Sequence, residues 1–157
     1  MIGTKHVLAM ICVPFRGKTP SQVMLSLQHT KNQITPRIID DYKQNHITAE
    51  LNYLSMDIEV VFYDNDIDYR TPHLISEDDH SLFCLGMGIS NVMSNVDYIV
   101  FGYDWEKSRG CLVECITAWS YGKRIFAYTD NKIIKDFDAF KYAVEKLNSI
   151  KNPEEKI

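Results

Sequence analysis

The sequence predicts an α/β domain in which helices cover both faces of a parallel sheet of four to five strands. Three observations carry that expectation. Four short apolar segments, at His6–Pro14, Ile58–Tyr63, Tyr98–Gly102 and Ile125–Tyr128, are rich in β-branched and aromatic residues. The first alternates little, as expected of a strand buried on both faces. Segments with helical spacing lie between them, and the order βαβαβαβα joins strands in parallel through crossover helices. At 157 residues the chain suits one domain with one core.

Each element has its own local signal. After the first strand, Phe15 to Lys18 reads as a loop. Thr19-Pro20 fits an N-cap followed by proline at the first helical position, opening a helix from about Pro20 to Gln33. Pro36 is expected to end or kink it, with a second helical stretch from about Arg37 to Leu54. Asp64 to Asp79 carries Asp-Asn-Asp, Thr-Pro and Glu-Asp-Asp clusters and reads as a long loop. Loops of that length in compact domains are often functional. His80 to Ser94 reads as a helix, with Leu82, Leu85, Ile89 and Met93 at helical spacing and Gly86 and Gly88 interrupting it. Cys111 to Tyr121 is the helix after the third strand, and Gly122 is placed to stop it. Asp136 to Ile150 is a final amphipathic helix, with Phe137, Phe140, Ala143, Val144 and Leu147 on one face. Lys151 to Ile157 is a charged tail expected to fray. Together these elements make a Rossmann-like three-layer sandwich in a single domain.

Composition excludes some functions. The formal net charge of −4 argues against a nucleic-acid polymer as partner, which needs a basic face. The apolar run Val7–Phe15 is too short for a membrane span, and no small-residue cleavage pattern follows it. The expected compartment is the cytoplasm. The four cysteines, Cys12, Cys84, Cys111 and Cys115, form no CxxC pair. Cys111 and Cys115 share a helix face but have no histidine near them in sequence. They read as buried thiols, and no metal or other cofactor is expected.

The segment from Val96 to Tyr128 carries the chemistry. It reads as strand, polar loop, helix, strand. Ligands of open α/β sheets bind beyond the carboxyl ends of the strands. There, Ser108, Arg109 and Gly110 precede a helix whose N–H groups, from Gly110 to Val113, suit a phosphate or carboxylate. Gly110 permits close approach to the backbone. Glu114 lies among apolar neighbours in what reads as the first helical turn. Dipole stabilisation is one role for it, and nucleophilic attack at a sugar carbon is another. Arg16 and Gly17 follow the first strand onto the same edge, and the Arg16 guanidinium suits a phosphate or a base. Trp105 reads either as a stacking wall for a base or as the packing anchor of its loop, with Tyr103 a lesser candidate. Asp64 and Asp104 are candidates for the substrate contact or proton donor that departure of a base requires. Each also fits a turn or rim position.

The segment VDYIVFGYDWEKSRGCLVECITAWSYGKRIFAY resembles the nucleoside 2-deoxyribosyltransferase-like superfamily, closest to its uncharacterised DUF4406 branch. Asp97, Trp105, Gly110, Cys111, Glu114, Ala118 and Gly122 carry the likeness, with Pro14, Arg16 and Gly17 in the N-terminal loop and Leu85 and Gly86 before the third strand. The region from Gln33 to Met56 carries none of it. The resemblance implies an N-glycosidic-bond enzyme whose nucleophile is Glu114, with Ser108, Arg109 and Gly110 holding a 5′-phosphate. It implies a nucleoside or nucleotide substrate, no cofactor, and a homodimer or larger homo-oligomer. An Asp usual at the start of the helix before the third strand has no clear match among Asp78, Asp79 and His80. A nucleotide-binding module without turnover is the alternative.

Overall fold

The computed structural model describes residues 3–14, 17–46, 57–63, 82, 85–86, 88–90, 93–130 and 132–151. Five strands form one sheet: β1 (Thr4–Cys12), β2 (Asp57–Tyr63), β3 (Tyr98–Phe101), β4 (Arg124–Thr129) and β5 (Lys132–Lys135). Their spatial order is β2-β1-β3-β4-β5. The first four run parallel, with Ala9 opposite Tyr98 and Ile99 opposite Ile125, and β5 runs antiparallel to β4. The helices are α1 (Pro20–His46), α2 (Arg109–Ser120) and α3 (Asp136–Lys151), with further helical residues between 82 and 90.

Strand alternation divides the core in two. Val7 and Ala9 of β1, Tyr98 and Val100 of β3, and Phe126 and Tyr128 of β4 pack with Ile34, Ile38 and Tyr42 of α1. Their neighbours Met10, Cys12, Ile99, Phe101, Ile125 and Ala127 pack with Leu112 and Cys115 of α2 and Ala139 and Ala143 of α3. Successive strand residues face opposite sides, so the two clusters lie on opposite sheet faces. Each fully buried Val, Ile or Phe stabilises by about 1.5–3 kcal/mol.

Two expectations are corrected. Helix α1 does not end near Gln33 but continues through Pro36 to His46. A proline inside a helix loses one hydrogen bond and costs about 3 kcal/mol. Pro36 itself is exposed, while Thr30, Ile34, Ile38 and Tyr42, spaced four apart, are buried against the sheet and carry the helix through. The other correction is β5, which was not expected. It is four residues long, its ends are lysines, and its two isoleucines serve opposite faces. The expected loop 64–79 and the tail from 152 lie outside the described residues.

Local signals elsewhere match their structures. Thr19 and Gln22 form a reciprocal capping box: Gln22 N–H donates to Thr19 Oγ1 at 3.2 Å, and Thr19 N–H donates to Gln22 Oε1 at 2.9 Å. At the end of α2, Gly122 takes a φ of 76°. Lys123 N–H donates to Ala118 O at 2.9 Å and Gly122 N–H to Trp119 O at 3.1 Å, a Schellman closure.

A buried carboxylate ties the amino edge of the parallel sheet together. Asp41 of α1 accepts from Tyr98 Oη at 2.6 Å, Arg124 at 2.8 Å and Lys135 at 2.7 Å. These partners are the first residues of β3 and β4 and the last of antiparallel β5. Arg124 also lies 3.5 Å from Asp136, whose carboxylate accepts from Ile125 N–H. Burial pushes the Asp41 carboxyl up, but the hydrogen bonds from Lys135 and Tyr98 and the charge of Arg124 hold it below the usual range.

At the other edge, Gly102 follows β3 directly. A Cβ there would stand 2.6 Å from Val13 Cγ1 and 3.1 Å from Thr30 Oγ1. The end of β3 can reach the β1 loop and α1 only as glycine.

Two tests follow. Gly102→Ala should destabilise by about 1–3 kcal/mol, the range for overpacking a closed core, read as a lower midpoint in urea. Asp41→Ala should cost about 1–3 kcal/mol at neutral pH, because it leaves the buried Tyr98 hydroxyl without its acceptor and takes the counter-charge from Arg124 and Lys135. A carboxyl held below its unfolded pKa contributes fully above that value. The Asp41 contribution should therefore fade as pH falls below about 4, and the gap between wild type and variant should close in acid melts.

Candidate functional site

The strand order places a switch point at the carboxyl edge of the sheet. From β1 the chain crosses to β2 on one side, and it later enters β3 on the other. Helices α1 and α2 follow β1 and β3 and pack on opposite faces, so the space between the two strand ends is where a sheet of this topology binds its ligand. Glu114 of α2 reaches it: its Oε2 accepts from Cys12 Sγ, at the end of β1, at 3.4 Å. A Cβ on Gly88 would lie 3.9 Å from the same oxygen and from Met10 Cε. The carboxyl is thus bounded by the end of β1 and the helical segment before β3.

Glu114 is not in the first helical turn. The helix begins at Arg109, two residues before the expected Cys111, because Ser108 caps it: Ser108 Oγ accepts from Cys111 N–H at 3.3 Å. Glu114 therefore sits in the second turn, where dipole stabilisation of an anion has faded. Desolvation pushes its carboxyl up to about 7, and the Cys12 thiol opposes part of that rise. A carboxyl with that pKa titrates around neutral pH, the property expected of a working acid or nucleophile.

Three reduced thiols lie in the same part of the core, and Cys12 is the one bonded to this acid. Cys12, Cys111 and Cys115 are all buried, and burial raises the pKa of each, Cys111 and Cys115 to about 12. The charge of Glu114 raises Cys12 and Cys111 further. They remain protonated at neutral pH, so Cys12 donates to Glu114 rather than competing as a thiolate.

The loop from Tyr103 to Ser108 is pinned. Trp105 is fully buried, packs on Phe101 and Tyr142, and donates from Nε1 to Tyr128 O at 2.6 Å. The structure corrects its placing among the substrate-binding residues: no ring face is exposed, and Trp105 anchors the loop. Asp104 takes a left-handed φ of 67° and holds Lys18 at 3.8 Å and Lys107 at 3.3 Å. That tie between charges makes it a rim residue.

The expected anion seat is narrower than the sequence suggested. Of the N–H groups from Gly110 to Val113, that of Cys111 goes to Ser108 Oγ and that of Leu112 to Ser108 O. Arg109 is exposed at the first helical position. Gly110 has only Ser108 Oγ, at 3.8 Å, near where a Cβ would stand, so the space beside its backbone is open. Gly17 takes a φ of 79°, a backbone need rather than a ligand one. Arg16 and Asp64 lie outside the described residues, as do Asp78, Asp79 and His80.

Sequence reasoning missed three contributors. Lys18 crosses from the β1 loop to Asp104, and its charge lowers the Cys111 thiol pKa, placing a cation on this rim. Its position after Arg16-Gly17 was the available signal. Cys12 and Gly88 border Glu114, and only the fold brings them there.

No protein-family model, curated protein or solved structure matches this chain. Among the described residues, no group of three or more His, Cys, Asp or Glu side chains is arranged to hold a metal ion. No described helix is long and apolar enough to cross a membrane.

The raised carboxyl carries a stability cost with a defined sign. The folded chain holds the Glu114 proton more tightly than the unfolded one. Stability should fall as pH rises from about 4.5 to about 7, then level off. Glu114→Gln removes that loss. The variant should melt higher than wild type at pH 8, by up to about 2–3 kcal/mol, and should show little advantage at pH 4.5. Thermal melts at the two pH values check this.

Proposed function

We propose that this protein cleaves the N-glycosidic bond of a nucleoside or nucleoside 5′-monophosphate, with Glu114 as nucleophile. The supporting observation is one carboxyl, desolvated and titrating near 7, at the β1–β3 switch point. One of its oxygens accepts from Cys12. The other is the one to attack. It forms an ester with C1′ of the sugar, the C1′–N bond breaks, and the bonding pair leaves with the base, which takes up a proton. Water hydrolyses the ester and restores Glu114, or a second base accepts the sugar. Ser108, Arg109 and Gly110 form the proposed phosphate seat, joined by Lys18 and by Arg16. The core clusters on both sheet faces support a Rossmann-like three-layer sandwich as its frame. A homodimer or larger homo-oligomer working in the cytoplasm, without a cofactor, completes the proposal.

A second reading has its own support. A carboxyl near half-protonated at neutral pH, bonded to a thiol, also serves as a donor in a nucleotide-binding module without turnover. Incubation with deoxynucleosides and their 5′-monophosphates separates the two. Under the first reading, free base is released from at least one substrate and Glu114→Ala abolishes the release. Calorimetric binding with unchanged ligand favours the second, and release of no base from any substrate rejects the first.

The pH profile is a further expectation. A carboxylate nucleophile must be ionised, so kcat/KM should climb as pH rises through about 7. Cys12→Ala removes the hydrogen bond that favours the anion, so the climb should move to higher pH.

A further inference from the structure

On the opposite face of the sheet from Glu114, a cavity of about 330 Å³ opens between α1, the loop after β3 and the β4–β5 hairpin. Its walls include Gln33 and Arg37 from one face of α1, Tyr103 from the loop, Tyr128 and Asp130 from the end of β4, and Lys132 from β5. Tyr128 belongs to the core cluster that α1 covers, whereas α2, through Cys111 and Cys115, packs in the other cluster. The glutamate crevice and this cavity therefore lie on opposite sheet faces and share only the loop after β3.

One residue of the cavity wall carries an unanswered polar group. Tyr128 is 4% exposed, yet its hydroxyl has no hydrogen-bond partner in the protein. Buried hydroxyls are nearly always paired, so this one needs a partner from outside the chain. Arg37 lines the same cavity, and its charge acts on the phenol. Lys132 adds a second cation and Asp130 a single anion, leaving the walls net positive. Tyr103 is 43% exposed and tilted against Tyr128 at 4.7 Å between centroids, so one aromatic surface lines the entry.

We propose that this cavity is a binding site for a small aromatic anion. A phosphate or carboxylate would lie on the Arg37 guanidinium and the Tyr128 hydroxyl, with the ring against Tyr103. Guanidinium forks suit both oxyanions, since each offers two acceptor atoms in the right spacing. Gln33, one helical turn from Arg37, and Asp130 are positioned to take hydrogen bonds from the body of the ligand. The volume lies at the lower end of the range for small-molecule sites and admits a two-ring body. This inference does not rest on the glycosidase reading.

Calorimetry with the full chain tests it. The probes are AMP as an aromatic phosphate, indole-3-acetate as an aromatic carboxylate, adenosine as a neutral ring, and inorganic phosphate. At least one aromatic anion should bind, with adenosine and inorganic phosphate roughly tenfold weaker or more. Arg37→Met should weaken the preferred anion by roughly tenfold or more, because it removes a charged donor. Tyr128→Phe keeps the ring and should weaken it about three- to tenfold. Glu114→Gln should leave the Arg37-dependent part of the binding unchanged. The proposal is overturned if neither anion binds, if adenosine binds as well as the preferred anion, or if Arg37→Met has no effect. Binding that is lost in Glu114→Gln and kept in Arg37→Met belongs to the other crevice; it overturns this site while leaving the first one standing.

Discussion

Asp41 is the single carboxylate that the described fold takes almost wholly out of water. Four side chains close on it, and they come from separate places along the chain: Tyr98, Arg124, Lys135 and Asn45. A buried charge of this kind is tolerable only while every partner is in place, which makes the arrangement all-or-none. It fixes where α1 sits relative to the starts of β3 and β4, and it holds the short strand β5 to the sheet. The crevice at the far edge inherits its walls from that placement, because α1 and the strands are rigid between the two ends.

The two edges treat carboxylates in opposite ways. At the amino edge, Asp41 is surrounded by donors and is kept ionised. At the carboxyl edge, Glu114 meets desolvation with one weak thiol donor, and its proton is held to about 7. Burial acts on both in the same direction. What differs is the number and charge of the partners, and that difference separates a structural acid from a reactive one. A fold that stabilises one edge through a closely paired carboxylate can carry an underpaired acid at the other.

Much of this was legible in the residues. The four parallel strands, the Thr19 cap, the Gly122 stop and the last helix each follow from a local signal that tertiary packing did not oppose. Helix α1 was misread because proline was weighed alone, while a buried stripe from Thr30 to Tyr42 overrode it. Strand β5 was missed because two isoleucines between lysines do not announce a strand without β4 beside them. The start of α2 turned on which residue caps it, and that choice moved Glu114 out of the first turn. The partners of Glu114, Cys12 and Gly88, are far apart in sequence and meet only through the crossing at β1. The Asp41 cluster joins residues up to 94 positions apart, so no window along the chain contains it.

The hydrogen bond from Trp105 to the Tyr128 carbonyl bears on motion. It staples the loop after β3 to the last residues of β4, and the indole itself is locked between Phe101 and Tyr142. That wall of the crevice moves only if part of the core moves with it. Widening to admit a bulky molecule is easier on the β1 side, where the chain turns through Gly17 and where, among the described residues, the 3.8 Å contact from Lys18 to Asp104 bridges the gap.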